Sequence, residues 1–347
     1  MRTRVGRAIR AAALAATALA AAGCARAPAA DPASAASVAS ALPADSGYLP
    51  GAGGARLYYL RVGRGPQAVL IPGRAFLAND FRRLARPERT LVFYDTRNRG
   101  RSEALADTAA LTVQHDVLDV EAVRRHFGFE RAALVGYSYM GLMAVMYAMD
   151  HPGRVTRIVQ LGPVPRKFGT EYPRGLTAAD HPAPYDSAKL AAARELGETR
   201  FPVERPREYC ELLWSVNRVG LVGDQSRVDA LGPGLCDMPN EHPVNFRRHL
   251  RFNFASVQRL DIPVEAVRRV TVPVLTIHGT WDRNAPYGAG REWALTLPDA
   301  RLLTVPGAAH NAWVERPDVV LPAVDEFLRG RWPAAAERVT RLDPAER

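Results

Sequence analysis

The chain is 347 residues long and carries 46 basic and 36 acidic side chains, a net charge of +10. A polypeptide of this length can bury a full core without a metal or disulfide staple. Its 47% apolar and 24% charged residues exclude wholesale disorder and a multi-span membrane protein. The positive charge is nearly all arginine, since Lys167 and Lys189 are the only lysines. The arginines are scattered singly among acids and alanines with no basic block, which argues against a nucleic-acid partner and for compositional bias.

Residues 1–10 hold Arg2, Arg4, Arg7 and Arg10 and no acid, and 11–23 is an unbroken run of small or apolar residues. That run is too short to span a bilayer but has the length of a signal-peptide core. It ends on Ala21-Ala22-Gly23-Cys24. This resembles the lipobox of bacterial lipoproteins, whose cysteine is acylated and becomes the mature N-terminus, although Ala21 stands where Leu is usual. The resemblance implies a signal peptide over 1–23, lipidation at Cys24, and an exported protein anchored to a bacterial membrane, facing the periplasm or the exterior. An ordinary cleaved secretory signal is the alternative. Losing 1–23 takes four arginines with it and leaves +6. Residues 24–46, almost all Ala, Ser, Pro and Asp, read as a flexible tether.

Beyond the tether, alternating large apolar residues (Leu57, Tyr59) predict a strand over 54–63. Short apolar runs predict strands at 67–72, 90–95 and 132–136. Val113, Val117, Val120, Val123 and Phe127 recur at spacings of three and four, one face of an amphipathic helix. A further helix is expected from Ser138 to Asp150. Buried-type strands follow at 157–161, 274–278 and 302–305, with a last helix over 318–329. Apolar strands alternating with helices imply a doubly wound α/β fold with a mostly parallel sheet. Residues 165–270 break the rhythm with Pro, charge and aromatics and read as an inserted, largely helical lid. The core is then 47–164 with 271–331. The tail 332–347 is polar and expected to fray.

One constellation carries chemistry. Gly136-Tyr137-Ser138-Tyr139-Met140-Gly141 lies between a strand and a helix, where a serine can project its hydroxyl above the carboxyl edge of the sheet. Small residues are wanted two before and two after such a nucleophile. Gly136 meets the first need and Met140 does not meet the second. Alone, the triplet is as compatible with a polar turn. Asp282 and His310, however, each lie just past the end of a predicted strand, on the same rim. The order Ser, Asp, His is that of a hydrolytic triad. Ser138 is the candidate nucleophile, His310 the base and Asp282 the group that orients it.

On these residues, 47–331 resembles the α/β-hydrolase superfamily. Tyr94-Asp95-Thr96-Arg97-Asn98-Arg99-Gly100-Arg101-Ser102 resembles the Asp-x-Arg-Gly-x-Gly-x-Ser loop common there, with Asn98 in place of a Gly. His151-Pro152-Gly153-Arg154-Val155 resembles the His-Pro-Glu-Arg-Val turn after the nucleophile helix. Pro72-Gly73-Arg74 stands in the place of the oxyanion loop, so the match implies an oxyanion hole from the backbone N–H groups of Arg74 and Tyr139. The Arg74 side chain reads either as a contact for an anionic substrate group or as pointing to solvent. His278 reads as packed, His151 as a turn cap and His115 as outer-face, while His242 and His249 fall in the lid. No grouping has metal-ligand spacing, and no cofactor or metal is expected.

If Cys24 is lipidated, Cys210 and Cys236 form an even pair in an oxidising compartment. They are either bridged, which would contribute about 3–4 kcal/mol in the chain-entropy model, or two separate buried thiols. Glu211, Asp237 and Glu241 lie near them. These acids either belong to a solvated lid or face the active site and pair with a substrate cation. Proline iminopeptidases, the nearest branch on the Asp-x-Arg loop, hold a peptide's amino group with lid carboxylates; this chain lacks their Gly-rich oxyanion loop and nucleophile motif. The sequence thus points to an exported serine hydrolase acting on a small-molecule or peptide ester or amide, touching the membrane through its anchor only. An aminopeptidase and a non-catalytic binding protein on the same fold are the alternatives. Oligomeric state is not legible.

Overall fold

The computed structural model describes residues 42–232 and 234–344. The signal segment, Cys24 and most of the tether lie outside the described residues. The described chain forms an eight-stranded sheet, β1 (Ala44–Pro50), β2 (Arg56–Val62), β3 (Gln67–Pro72), β4 (Arg89–Tyr94), β5 (Ala132–Tyr137), β6 (Val155–Leu161), β7 (Val274–Gly279) and β8 (Ala300–Val305), in spatial order 1-2-4-3-5-6-7-8. The pairs β1–β2 and β2–β4 are antiparallel, and every pair from β4 through β8 is parallel.

The parallel strands are buried almost end to end, as a sheet covered on both faces requires. Helix α1 (Arg74–Phe81) follows β3 and leads outward to β4. Helix α2 (Val113–His126) lays the expected valine stripe on the sheet, starting from a Thr112 cap that accepts the His115 N–H. His115 is half-buried beside its own cap, bonded to Thr112 at 2.9 Å. Helix α3 (Tyr139–Asp150) follows β5 and leads the other way, to β6. The winding reverses between β3 and β5, so the ends of those two strands border the crevice where doubly wound sheets place their ligands.

Between β6 and β7 the chain leaves the sheet. Helices α4 (Ser187–Gly197) and α5 (Pro206–Asn217), the two longest of the excursion, are joined there by shorter helical turns, among them a π-helical turn at His249–Phe254. Its two ends meet: Lys167 bridges Asp261, and the Ile262 N–H donates to the Arg166 carbonyl. Helices α6 (Tyr287–Thr296) and α7 (Pro317–Leu328) complete the layers around β7 and β8.

Two boundaries differ from expectation. The first strand begins at Ala44, inside the stretch read as tether. Its sequence, Ala-Asp-Ser-Gly-Tyr-Leu-Pro, buries only Leu49, as suits an edge strand. The described part of the tail, 332–344, is not frayed. Glu337 pairs with Leu302, Ala336 and Val339 are buried, and the Arg291 guanidinium donates to the carbonyls of Arg341 and Leu342.

Candidate active site

Ser138 stands at the turn from β5 into α3 with φ 56 and ψ −126, one of two non-glycine residues with positive φ among those described. Such backbone is strained for a residue with a side chain and persists only where neighbours enforce it. They do so here: the Ser138 N–H donates to the Leu161 carbonyl at 2.8 Å, and Gly141 N–H returns to the Ser138 carbonyl at 3.0 Å. Gly136 is obligatory, since a Cβ there would sit 2.2 Å from the Met140 carbonyl oxygen. The second close approach falls on Gly141, packed against Gln160 and Pro163. Met140 is accommodated because its side chain leaves that seam for Gly73, where a Cβ would lie 2.6 Å from the methionine methyl. A large residue two places after Ser138 is thus matched by a bare, left-handed glycine (φ 77) in the facing loop.

The loop after β7 carries Asp282 and the loop after β8 carries His310, both buried. His310 Nδ1 lies 2.7 Å from Asp282 Oδ2. Asp282 Oδ1 accepts the N–H groups of Asn284 and Ala285, each at 2.9 Å. Burial alone would push this carboxyl up, but the adjacent His310 and His278 imidazoles hold it well below the usual range. With Nδ1 committed to the aspartate, Nε2 is the ring nitrogen His310 has left for another partner. Glu315 fixes the loop: its carboxylate accepts the N–H of Ala309 and those of Gly223 and Asp224 from the lid.

Ser138, Tyr139, Met140 and His310 wall one cavity of about 490 Å³ under the lid. The rest of the wall is largely apolar, with Phe76 from the core and Leu213, Trp214, Phe246 and Phe254 from the lid. His249 and Phe254 reach it from the π-helical turn, a distortion that often re-aims side chains at functional sites. Burial and the nearby Arg99 charge hold His249 well below the usual imidazole range.

The predicted oxyanion residues open helices: Arg74 is the first residue of α1 and Tyr139 the first of α3, where N–H groups lack intrahelical partners. The Arg74 side chain neither meets the cavity nor points to solvent. Its guanidinium lies 3.5 Å from the buried Asp95 and over the Tyr58 ring at 5.0 Å. Asp95 caps this loop by accepting the N–H groups of Ala75 and Arg101, both at 3.0 Å, and burial raises its carboxyl to about 6. Asn98 is the other positive-φ residue (φ 60), at the place where the loop pattern has Gly; asparagine tolerates that conformation better than most.

The three lid acids separate. Glu211 and Asp237 are exposed, and both pair with Arg207 at 2.9 Å. Glu241 does reach the cavity wall, but its carboxylate is occupied by the Arg99 guanidinium and by the Gly100 N–H at 2.7 Å. Cys210 and Cys236 form a disulfide, Cα–Cα 5.7 Å, tying α5 to the segment that carries Glu241. His242 holds the Cys236 carbonyl at 2.9 Å. Sequence reading missed the Arg99–Glu241 latch, because its members are 142 residues apart and nothing local pairs them. It also missed buried Asp116, bonded by the Asn253 amide at 2.7 Å and the Tyr139 hydroxyl at 3.4 Å.

A family model described as alpha/beta hydrolase fold matches residues 69–205, and one described as TAP-like protein matches 254–338. The chain is 25% identical over 318 residues to a proline iminopeptidase of Xylella fastidiosa, covering 82% of this chain and 97% of that one. It is 23% identical over 264 residues to a proline iminopeptidase of Saccharolobus solfataricus, covering 69% and 75%. An esterase from Exiguobacterium antarcticum superimposes with a TM-score of 0.62 at 15% identity, over 82% of this chain and all of that one.

Proposed function

The chain belongs to the α/β-hydrolase superfamily, and from that premise we propose that it is a serine hydrolase cleaving uncharged esters with an apolar acyl or alcohol part. In this reading Ser138 attacks the acyl carbon while His310 Nε2 takes its proton. Asp282 holds the imidazole tautomer and stabilises its cationic form. The N–H groups of Arg74 and Tyr139 receive the negative charge that develops on the carbonyl oxygen, a role in which one lost donor typically costs about 10²–10³ in turnover. His310 then protonates the leaving group, and water repeats the sequence on the acyl-enzyme. The observation that carries the reading is the His310–Asp282 hydrogen bond of 2.7 Å behind a cavity wall that His310 shares with the strained Ser138.

The substrate class follows from the wall. Leu213, Trp214, Phe246 and Phe254 offer apolar surface, and the Arg99 and Glu241 charges satisfy one another. A second reading, aminopeptidase, is favoured by the proline iminopeptidase relatives, which align along most of their length. It needs a carboxylate free to meet an ammonium group, and Glu211, Asp237 and Glu241 are each paired with arginine. Comparing p-nitrophenyl butyrate with a prolyl arylamide separates the two. Ester turnover with little arylamide turnover is expected. Preferential arylamide turnover that falls in Glu241→Gln would favour the aminopeptidase instead.

We further propose that the protein is exported and held to a bacterial membrane through acylated Cys24. The support is the basic, then apolar, then Gly-Cys pattern of residues 1–24 and a disulfide suited to an oxidising compartment. Cys24→Ser should move the protein from the membrane to the soluble fraction; unchanged membrane retention would contradict the anchor.

A further inference from the structure

The triad reading leaves one donor to Asp282 unused. His278 is completely buried at the end of β7, and its Nε2 lies 3.1 Å from Asp282 Oδ2, the same oxygen that meets His310. The same Nε2 lies 3.0 Å from the Ala285 carbonyl oxygen. Both neighbours are acceptors, so Nε2 carries the hydrogen and shares it between them. His278 Nδ1 is buried without a partner, and Gly290 leaves room for it, since a Cβ there would lie 2.4 Å away. A hydrogen on Nδ1 would have nothing to accept it, so the neutral Nε2–H tautomer is the one this pocket satisfies. Tyr287 meets the ring edge-on at 6.0 Å and completes the enclosure.

We propose that His278 is a positioning residue for the triad, its Nε2–H fixing the carboxylate oxygen that His310 meets and drawing part of that oxygen's charge away from the catalytic imidazole. The inference rests on the reading of Ser138, His310 and Asp282 as the triad. Two acceptor contacts on one hydrogen give the arrangement its purpose: the Ala285 carbonyl anchors the ring, and the aspartate takes the rest of the bond. The histidine reads in sequence as packing because nothing about residue 278 announces that the chain will bend back on it four residues later.

The test compares His278→Phe, which keeps a ring and loses the donor, with His278→Gln, whose amide can replace the Nε2–H. Each is assayed for kcat, KM and the pH profile of kcat/KM. Charged and titratable groups facing Asp282 are His278, His310 and the Tyr137 hydroxyl, and Tyr287 faces His278; only His278 changes. The Phe variant should lose about tenfold or more in kcat with KM nearly unchanged, the scale of a lost hydrogen bond to a charged group. Its acid limb should move to higher pH by on the order of half a pH unit, because a carboxylate short of a donor favours the imidazolium more. Gln should recover the limb position and most of kcat. A Phe variant with the wild-type limb, whatever its activity, overturns the proposal. If Phe does not fold, Gln against the length-matched His278→Met puts the same question. Ser138→Ala in the same assay keeps the two claims apart: activity surviving there removes the triad reading, whereas an unmoved limb removes only the role of His278.

Discussion

Ser138 and Asp116 are both held where their chemistry resists it. At φ 56 and ψ −126 the Ser138 Cβ is crowded by its own backbone. Ser138→Gly should therefore melt higher than Ser138→Ala by an amount corresponding to about 1 kcal/mol; equal melting temperatures would mean that the turn is not strained. Asp116 is raised to about 7 by burial and, next, by the nearby Asp119 charge. The folded state thus binds a proton there that the unfolded chain, near its ordinary value of about 4, releases earlier. The group's contribution declines as pH rises between those two values and is flat above the upper one. Asp116→Asn should gain in melting temperature relative to wild type on going from pH 5 to pH 8. A constant difference across that interval would show that Asp116 titrates normally. Neither strain nor burial is written in one residue's identity; the Gly-x-Ser triplet was legible because its spacing is short.

At the scale of elements, one cross-link ties the lid to the core and another ties the lid to itself. The Arg99–Glu241 pair joins the loop after β4 to the lid, with both side chains at least nine-tenths buried. Glu241→Ala leaves a buried guanidinium without its partner and should cost about 3–5 kcal/mol. The double variant Arg99→Leu/Glu241→Leu should cost less than that single change. Additive losses would show that the two charges do not depend on each other. The Cys210–Cys236 bridge spans a separation of 26 residues, for which the chain-entropy model gives about 3–4 kcal/mol. Reduction should expose the lid to proteolysis before the sheet, and an equal cleavage rate with and without reductant would contradict that. The lid was legible as a break in the strand–helix rhythm. Its attachment was not, because ion pairs across 142 residues leave no local pattern. Strand β1 was hidden for a different reason: an edge strand burying one side chain has almost no hydrophobic period to read.

For the whole molecule, the arginine excess proves to be distributed work. Arg89 and Arg97 are buried on Asp325 and Asp119, Arg99 on Glu241, and Arg291 pins the tail to α6. The sheet, its helices and the order Ser138, Asp282, His310 followed from apolar runs and turn chemistry, which act over short stretches. The folded tail did not, since Ala336 and Val339 are buried by a partner strand far away in sequence. We propose Ser138 as the nucleophile, activated by His310 and Asp282. A fluorophosphonate probe followed by peptide mapping tests it most directly. Wild-type protein should label on the peptide containing Ser138, with labelling abolished in Ser138→Ala and slowed by orders of magnitude in His310→Ala. Equal labelling of wild type and Ser138→Ala would mean that Ser138 is not the nucleophile.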